Sequence, residues 1–155
     1  MRAIGASNYG PGRLREASEV NDRAGYERDL EPVCREHGLG VITYFSLAKG
    51  FLSGKYRSER DLGQSPRGAG IARYLDPRGL RILAALDEVA ARHRATPAQI
   101  ALAWLIARPG VTAPIASATK PEQLEDLIAA TRLNLDAAAM TRLEEASAEE
   151  AAAAR

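Results

Sequence analysis

Residues 40–56 read Gly-Val-Ile-Thr-Tyr-Phe-Ser-Leu-Ala-Lys-Gly-Phe-Leu-Ser-Gly-Lys-Tyr, and no other stretch of the chain narrows its fold as much. The apolar run at 41–45 has the length and composition of a buried parallel strand. It gives way to a loop carrying Ser46, Gly50, Ser53, Gly54 and Lys55. Small residues let backbone amides approach an anion closely, and a lysine adds a point charge. Open and closed α/β sheets bind ligands at this carboxyl end of their strands. The same residues also build ordinary surface turns, so the segment acquires meaning only beside its neighbours.

Those neighbours alternate strand and helix. Further strands are expected at 2–6 and 112–116, giving three in all. A helix over 24–37 runs through Tyr26, Leu30, Val33, Cys34 and His37. Asp76-Pro77 reads as an N-cap followed by proline in the first helical position and opens a helix over 78–94, with Leu80, Leu83, Leu86 and Ala90 on one side. Thr96-Pro97-Ala98-Gln99 is a capping box for a helix to Ala107, and Thr119-Lys120-Pro121-Glu122 is another for a helix to Ala130. The helix at 100–106 is apolar on nearly every face, so it should be covered on two sides or lie against something beyond this chain. A last helix begins at Asp136 with Met140 and Leu143 inward, its Ala/Glu-rich end frayed. Residues 57–75 show no period and read as a long loop of the kind that often forms a lid.

This alternation points to a parallel sheet with crossover helices. The 155 residues make a single domain, and a 46% apolar content is ordinary for a globular protein. A net charge of +1 gives no electrostatic reason to expect nucleic acid or an anionic membrane. The lone Cys34 has no internal partner and reads as a small buried hydrophobe. No run has the length of a membrane span and Met1-Arg2-Ala3-Ile4 lacks an apolar signal core, so a cytoplasmic location is expected. No metal-ligand cluster stands out.

Each expected strand ends in polar chemistry. The first ends in Ser7 and Asn8, a hydroxyl and an amide suited to a carboxamide head group. The second ends in the Ser/Gly/Lys loop. The third runs through Thr119 and Lys120 into a helix, where dipole, free amides and ammonium favour a phosphate. Each alone is compatible with capping and turn chemistry. Together, in this order, they describe an elongated ligand with a carboxamide, a pyrophosphate and a further phosphate.

Taken as an ordered set, Arg2-Ala3-Ile4-Gly5-Ala6-Ser7-Asn8-Tyr9, then Val41-Ile42-Thr43-Tyr44, Leu47-Ala48, Gly50-Phe51-Leu52-Ser53-Gly54-Lys55-Tyr56, Thr96-Pro97-Ala98-Gln99, Ala103-Trp104-Leu105 and Gln123-Leu124 resemble the carboxyl half of an aldo-keto reductase. The resemblance implies part of a (β/α)8 barrel, three parallel strands with outer helices and the amino-terminal half absent. It implies NADP(H) as cofactor and the reduction of aldehydes and ketones as the family's reaction. Residue by residue, it puts Ser7 and Asn8 at the nicotinamide carboxamide and stacks Tyr44 on the nicotinamide ring. Leu47, Ala48, Lys49 and Lys55 would form the loop over the pyrophosphate. Arg67 would reach the adenosine side. Thr119 and Gln123 would sit at the 2′-phosphate and adenine end, with Lys120 as a nearby charge and Asp126 where the family usually has glutamate.

The chain departs from the family at four points. Phe45-Ser46 stands where Ser-Pro is usual, and Leu127 replaces an adenine-contacting asparagine. Val20 runs directly into Asn21 where the family has a further stretch ending a strand. The catalytic Asp, Tyr, Lys and His of the family have no counterpart, so no catalytic residue is named; Tyr9, Tyr26, Tyr44, Tyr56 and Tyr74 do not match the acid by motif, and His37 and His93 read as packing or surface residues. The expectation is therefore a dinucleotide-holding half of an oxidoreductase, inactive alone. The alternatives are half of a split reductase completed by a partner chain, or a non-enzymatic helical interaction module or decayed fragment. Open strand edges lead us to expect a homo-oligomer or a complementary chain.

Overall fold

The computed structural model describes residues 26–65 and 68–148. A π-helical turn, Tyr26–Leu30, leads into α1 (Glu31–Glu36) and β1 (Val41–Thr43). A segment of 3-10 turns follows, at Ala48–Ser53, Glu59–Gln64, Gly68–Gly70 and Ala72–Tyr74. The chain then forms α2 (Pro77–His93), α3 (Pro97–Ala107), β2 (Val111–Pro114), α4 (Pro121–Ala130) and α5 (Ala137–Ser147).

β1 and β2 pair in parallel, Val41 opposite Val111, Ile42 opposite Ala113 and Thr43 opposite Pro114, with an irregularity between Val41 and Ile42. The sheet has two strands among the described residues, where three were expected; the expected strand at 2–6 lies outside them. β1 stops at Thr43, two residues short of its expected end. Phe45 takes φ 60°, and the buried Ser46 donates its hydroxyl to the Thr43 carbonyl at 3.0 Å, so the chain turns there. β2 starts one residue early and ends at Pro114, beyond which the Ile115 amide still reaches the Thr43 carbonyl at 2.7 Å.

The core lies away from this sheet. Phe51, Tyr56 and Ile71, from the segment between β1 and α2, are its largest fully buried side chains together with Leu83, Val89 and Ile100. They pack with Leu86, Ala90, Ala101, Ala139 and Leu143 of α2, α3 and α5. The expected aperiodic loop at 57–75 is thus a seated element, tied by its own hydrogen bonds. The Ser58 hydroxyl and the Asp61 carboxylate form a capping box, and Gly68 lies where a Cβ would stand 1.6 Å from the Leu62 carbonyl oxygen.

Three helix starts follow the sequence signals. Asp76 accepts from the Gly79 amide at 2.6 Å, Thr96 and Gln99 exchange both bonds of a capping box, and Asp136 accepts from the Ala139 amide at 2.7 Å. The fourth signal fails: Lys120, not Thr119, is the N-cap of α4, and it makes no side-chain cap. Instead Gln123 Oε1 accepts from the Thr119 amide and hydroxyl at 2.8 and 3.1 Å. The expected helix at 24–37 is a π turn joined to a short α1, because Pro32 offers no N–H to continue an i to i−4 ladder. Its apolar residues Leu30 and Val33 are exposed and Cys34 is half-buried rather than core. In α2, Leu83, Leu86 and Ala90 face inward as expected, whereas Leu80 is exposed. α3 buries Ile100, Ala101, Leu102 and Ala103 between its neighbours and leaves Ile106 exposed.

Arginines close the ends of the helices. Arg78 donates two bonds to the Ser147 carbonyl, and Arg81 donates to those of Ala146 and Ala148, so α2 satisfies the carboxyl end of α5. Arg108 at the end of α3 bridges Glu27 and Glu144 with its guanidinium 5.0 Å from the Trp104 ring.

Gly79 supplies a test of how tightly α2 seats. Alanine is ordinarily favoured over glycine inside a helix by about 1 kcal/mol. Here a Cβ would lie 1.8 Å from the Tyr74 carbonyl oxygen and 3.1 Å from Phe51 Cζ. Gly79→Ala is expected to destabilise by about 1–3 kcal/mol in urea denaturation, the scale of core overpacking. Stabilisation would contradict this packing.

Candidate functional site

Because β1 and β2 are parallel and paired at Thr43 and Pro114, the segments that leave them, 44–56 and 115–120, emerge at one edge of the sheet. Most of the residues singled out in the sequence lie on these two segments. Tyr44 and the loop from Leu47 to Lys55 follow β1; Thr119, Lys120, Gln123 and Asp126 follow β2 on the approach to and within α4. Ser7, Asn8 and Arg67 lie outside the described residues.

The β1 side is a strained turn. Phe45, Ala48 and Lys49 have φ 60°, 47° and 59°, in the left-handed region that non-glycine residues seldom occupy, and Gly50 and Gly54 follow at 98° and 79°. Of the described non-glycine residues, only Arg94 shares this conformation. Strain of this kind persists where surrounding structure holds it, and it concentrates at ligand-binding sites. The holding is visible: the Ala48 and Gly50 amides donate to the Phe45 and Leu47 carbonyls at 2.6 and 2.8 Å, and the Ser53 hydroxyl donates to the Gly50 carbonyl at 2.7 Å. Phe51 anchors the turn in the core.

Tyr44 presents an open aromatic face, 55% exposed, with its ring tilted against Phe45 at 4.0 Å between centroids. Lys49 Nζ lies 5.5 Å from the Phe45 ring and Lys55 Nζ 4.9 Å from the Tyr56 ring. A Cβ on Gly50 would stand 3.4 Å from Lys55 Cε, so the lysine folds back over the turn. Ser46, by contrast, is turned inward onto Thr43 and offers no hydroxyl at the surface.

On the β2 side, α4 differs from α2, α3 and α5 in having no side chain across its first turn. Pro121 carries no N–H, which leaves the Glu122 and Gln123 amides as the donors at this end. Thr119 and Lys120 are exposed beside them. Gln123 is engaged with Thr119, and Asp126 accepts from Gln99 Nε2 at 2.7 Å, tying α4 to the start of α3. These two side chains would have to exchange internal bonds to meet a ligand.

Burial raises Tyr26 above its ordinary value, with Cys34, Glu31 and Glu27 adding to the effect. Tyr56 is fully buried against Ser65 at 2.7 Å, and the Tyr74 hydroxyl accepts from Arg73. Among the described residues no group of three or more metal-ligating side chains occurs. Behind the loop a cavity of about 320 Å³, walled by Ala48, Phe51, Ile82, Leu86, Trp104 and Leu143, is too apolar for phosphates. Its wall also carries Ser46, Asp76, Arg78 and Ser147.

Sequence reasoning missed the network that holds the loop's far end. Arg57 forks onto Asp87 of α2 at 2.7 and 2.8 Å, and Asp61 accepts from the amides of Arg57 and Ser58 at 2.9 and 2.8 Å. The only local signal was Ser58 three residues before Asp61; the Asp87 contact spans the chain and leaves no spacing to read.

The described residues thus form a two-stranded parallel sheet flanked by helices, with an open tyrosine and a lysine-bearing turn after β1 and an uncapped helix start after β2. The Aldo/keto reductase family profile matches residues 1–148, and the chain belongs to that family. A probable aldo-keto reductase 1 of Glycine max is 32% identical over 87% of this chain and 43% of its own length. The aldo-keto reductase yakc [NADP(+)] of Schizosaccharomyces pombe is 25% identical, and the NADH-specific methylglyoxal reductase of Escherichia coli 29%, each over 94% of this chain and 48% of its own. A crystal structure of a thermostable aldo-keto reductase in complex with the inhibitor epalrestat superposes with a TM-score of 0.60 at 26% identity, covering 93% of this chain and 48% of that one. The chain thus spans about half the length of these relatives. The match to the S. pombe protein runs over 163 residues, more than the whole of this chain, so it includes positions that this chain lacks.

The Asp61 contacts make a prediction about acid. Amide hydrogen bonds from Arg57, then Ser58, hold its carboxyl below the ordinary value of 3.8, against a small opposing effect of burial. A depressed folded value means that its contribution is whole above pH 3.8 and is lost as pH falls through the lower folded value. The Arg57 and Ser58 amide resonances should titrate together with a midpoint below 3.8; a midpoint at or above it would show that these bonds are not made in solution.

Proposed function

We propose that this chain supplies the dinucleotide-holding part of an aldo-keto reductase, as a single domain corresponding to the carboxyl half of the family's barrel. The observation that carries the reading is the strained, lysine-bearing turn at one sheet edge with the uncapped start of α4. Lys49, Lys55 and the backbone of Leu47 and Ala48 would lie along a pyrophosphate. Tyr44 would stack on the nicotinamide, whose carboxamide would meet Ser7 and Asn8. The free amides of α4 with Thr119 and Lys120 would take a 2′-phosphate, with Gln123, Asp126 and Arg67 around the adenosine. The donors that support this reading are the Lys49 and Lys55 ammonium groups and the amides at the start of α4, beside the open face of Tyr44; the Ala48 and Gly50 amides are bonded within the turn and would have to exchange those bonds to meet a phosphate. The bound dinucleotide would supply hydride chemistry; this chain's residues would hold and orient it.

The relatives' names include both an NADP(+) and an NADH enzyme, so cofactor preference must be measured. A 2′-phosphate carries close to two negative charges, and we expect NADPH to be preferred. Lys120→Glu should weaken NADPH by about 1–3 kcal/mol, the scale of charge-assisted hydrogen bonds, and leave NADH nearly unchanged in fluorescence titrations. Equal losses would show that the 2′-phosphate is not read here.

Carbonyl reduction also needs a proton donor beside the acceptor carbon, worth typically about 10²–10⁴-fold. We expect the purified 155-residue chain to oxidise no NADPH above background with nitrobenzaldehydes. Robust turnover abolished by Tyr44→Phe would overturn this by making Tyr44 the acid.

A second reading is a split enzyme or assembly completed by further strands. Ile42, Tyr44, Phe45 and Ile115 are 61%, 55%, 46% and 54% exposed on and beside the sheet, an apolar edge that additional barrel strands or a second copy would cover. Turnover on mixing with a separately expressed amino-terminal half of a relative would favour that reading.

A further inference from the structure

We propose that Arg57 is a positioning residue for the dinucleotide loop: forked onto Asp87, it fixes the backbone on both sides of Lys55 and so sets where that ammonium stands. This rests on the reading that the loop holds a pyrophosphate.

Arg57 uses every side of its guanidinium and its own amide. Nη1 and Nη2 donate to Asp87 Oδ2 and Oδ1 at 2.7 and 2.8 Å, a two-point contact that fixes orientation as well as distance. Nε donates to the Gly54 carbonyl at 2.6 Å, immediately before Lys55. The Arg57 amide donates to Asp61 at 2.9 Å, two residues after Lys55. Lys55 is therefore suspended between two tethered peptide units. Gly54 has φ 79°, and a Cβ there would lie 2.5 Å from Arg57 Nη2, so the guanidinium lies directly over the glycine.

Asp87 stands on α2, whose Leu86 and Val89 are core residues. Tyr56, next to Lys55, is fully buried with its hydroxyl 2.7 Å from Ser65. The ion pair itself is roughly half exposed on both sides, where such pairs add little to stability. Its geometry, rather than its energy, is what the loop gains. A lysine at 57 would keep the charge but could not bond Asp87 at two points and Gly54 at once.

The test titrates NADPH into the full chain by fluorescence, with Arg57→Gln, Arg57→Lys and Asp87→Asn placed in the natural and in a Lys55→Met background. Arg57→Gln and Asp87→Asn should each weaken NADPH about tenfold, one charge-assisted hydrogen bond's worth, and move the melting temperature by no more than about 2 °C. Arg57→Lys should not restore the affinity. With Lys55→Met, the same substitutions should change affinity by less than about twofold, because their effect runs through that lysine. Equal losses in both backgrounds, or no loss in either, would overturn the proposal. If the natural chain binds no NADPH, the dinucleotide reading fails, and amide exchange decides the positioning claim separately. Faster exchange at residues 50–56 in Arg57→Gln than in the natural chain would uphold it; unchanged exchange would overturn it.

Discussion

The burial of Phe51, Tyr56 and Ile71 beneath α2, α3 and α5 is the interaction on which the remaining structure depends. All three come from the segment between β1 and α2, which sequence pattern alone marks as loop. Each large apolar side chain, fully removed from water, contributes about 1.5–3 kcal/mol of transfer free energy. That burial fixes the segment from below, so its upper side can hold backbone conformations that would not persist in a free loop. The left-handed Ala48 and Lys49 sit within three residues of Phe51, and Lys55 precedes Tyr56 directly. Core and candidate site are two faces of one segment.

The same arrangement explains why a chain spanning half of its relatives' length has a packed interior. The family's barrel is a closed sheet, yet the described sheet here is two short strands, and the core sits among the helices that cross between them and follow them. Arg78 and Arg81 lock α5 onto α2, and Arg108 ties the Tyr26–Leu30 turn to α5. The exposed Ile42, Phe45 and Ile115 remain as the apolar side of the sheet that these helices do not cover.

Local signals in the sequence were legible and long-range ones were not. Asp76, Thr96 and Asp136 cap their helices because a short polar side chain reaches an amide three residues on, a contact contained within the motif. Thr119 has the same spacing to Glu122, but Gln123 takes its amide instead, a competition that spacing does not resolve. The strand at 41–45 was legible as an apolar run; its early end was not, since Ser46 turns back onto Thr43. Among the candidate site residues, Tyr44, Lys49 and Lys55 follow β1 and Thr119 and Lys120 follow β2, an order that the sequence itself already carried. The bond from Asp126 to Gln99 and the fork from Arg57 to Asp87 join residues 27 and 30 positions apart and left no trace in local pattern.

On the proposed reading, the turn at Lys49-Gly50 and the start of α4 form one dinucleotide site. It is tested most directly by following backbone amide resonances while NADPH is added to the whole chain. The account predicts that the Lys49, Gly50, Glu122 and Gln123 amides shift together with one dissociation constant, and that NADH moves the first pair while leaving the second nearly still. Shifts confined to the residues around the apolar cavity, such as the Trp104 indole, or no saturable shift at any of the four amides, would contradict it.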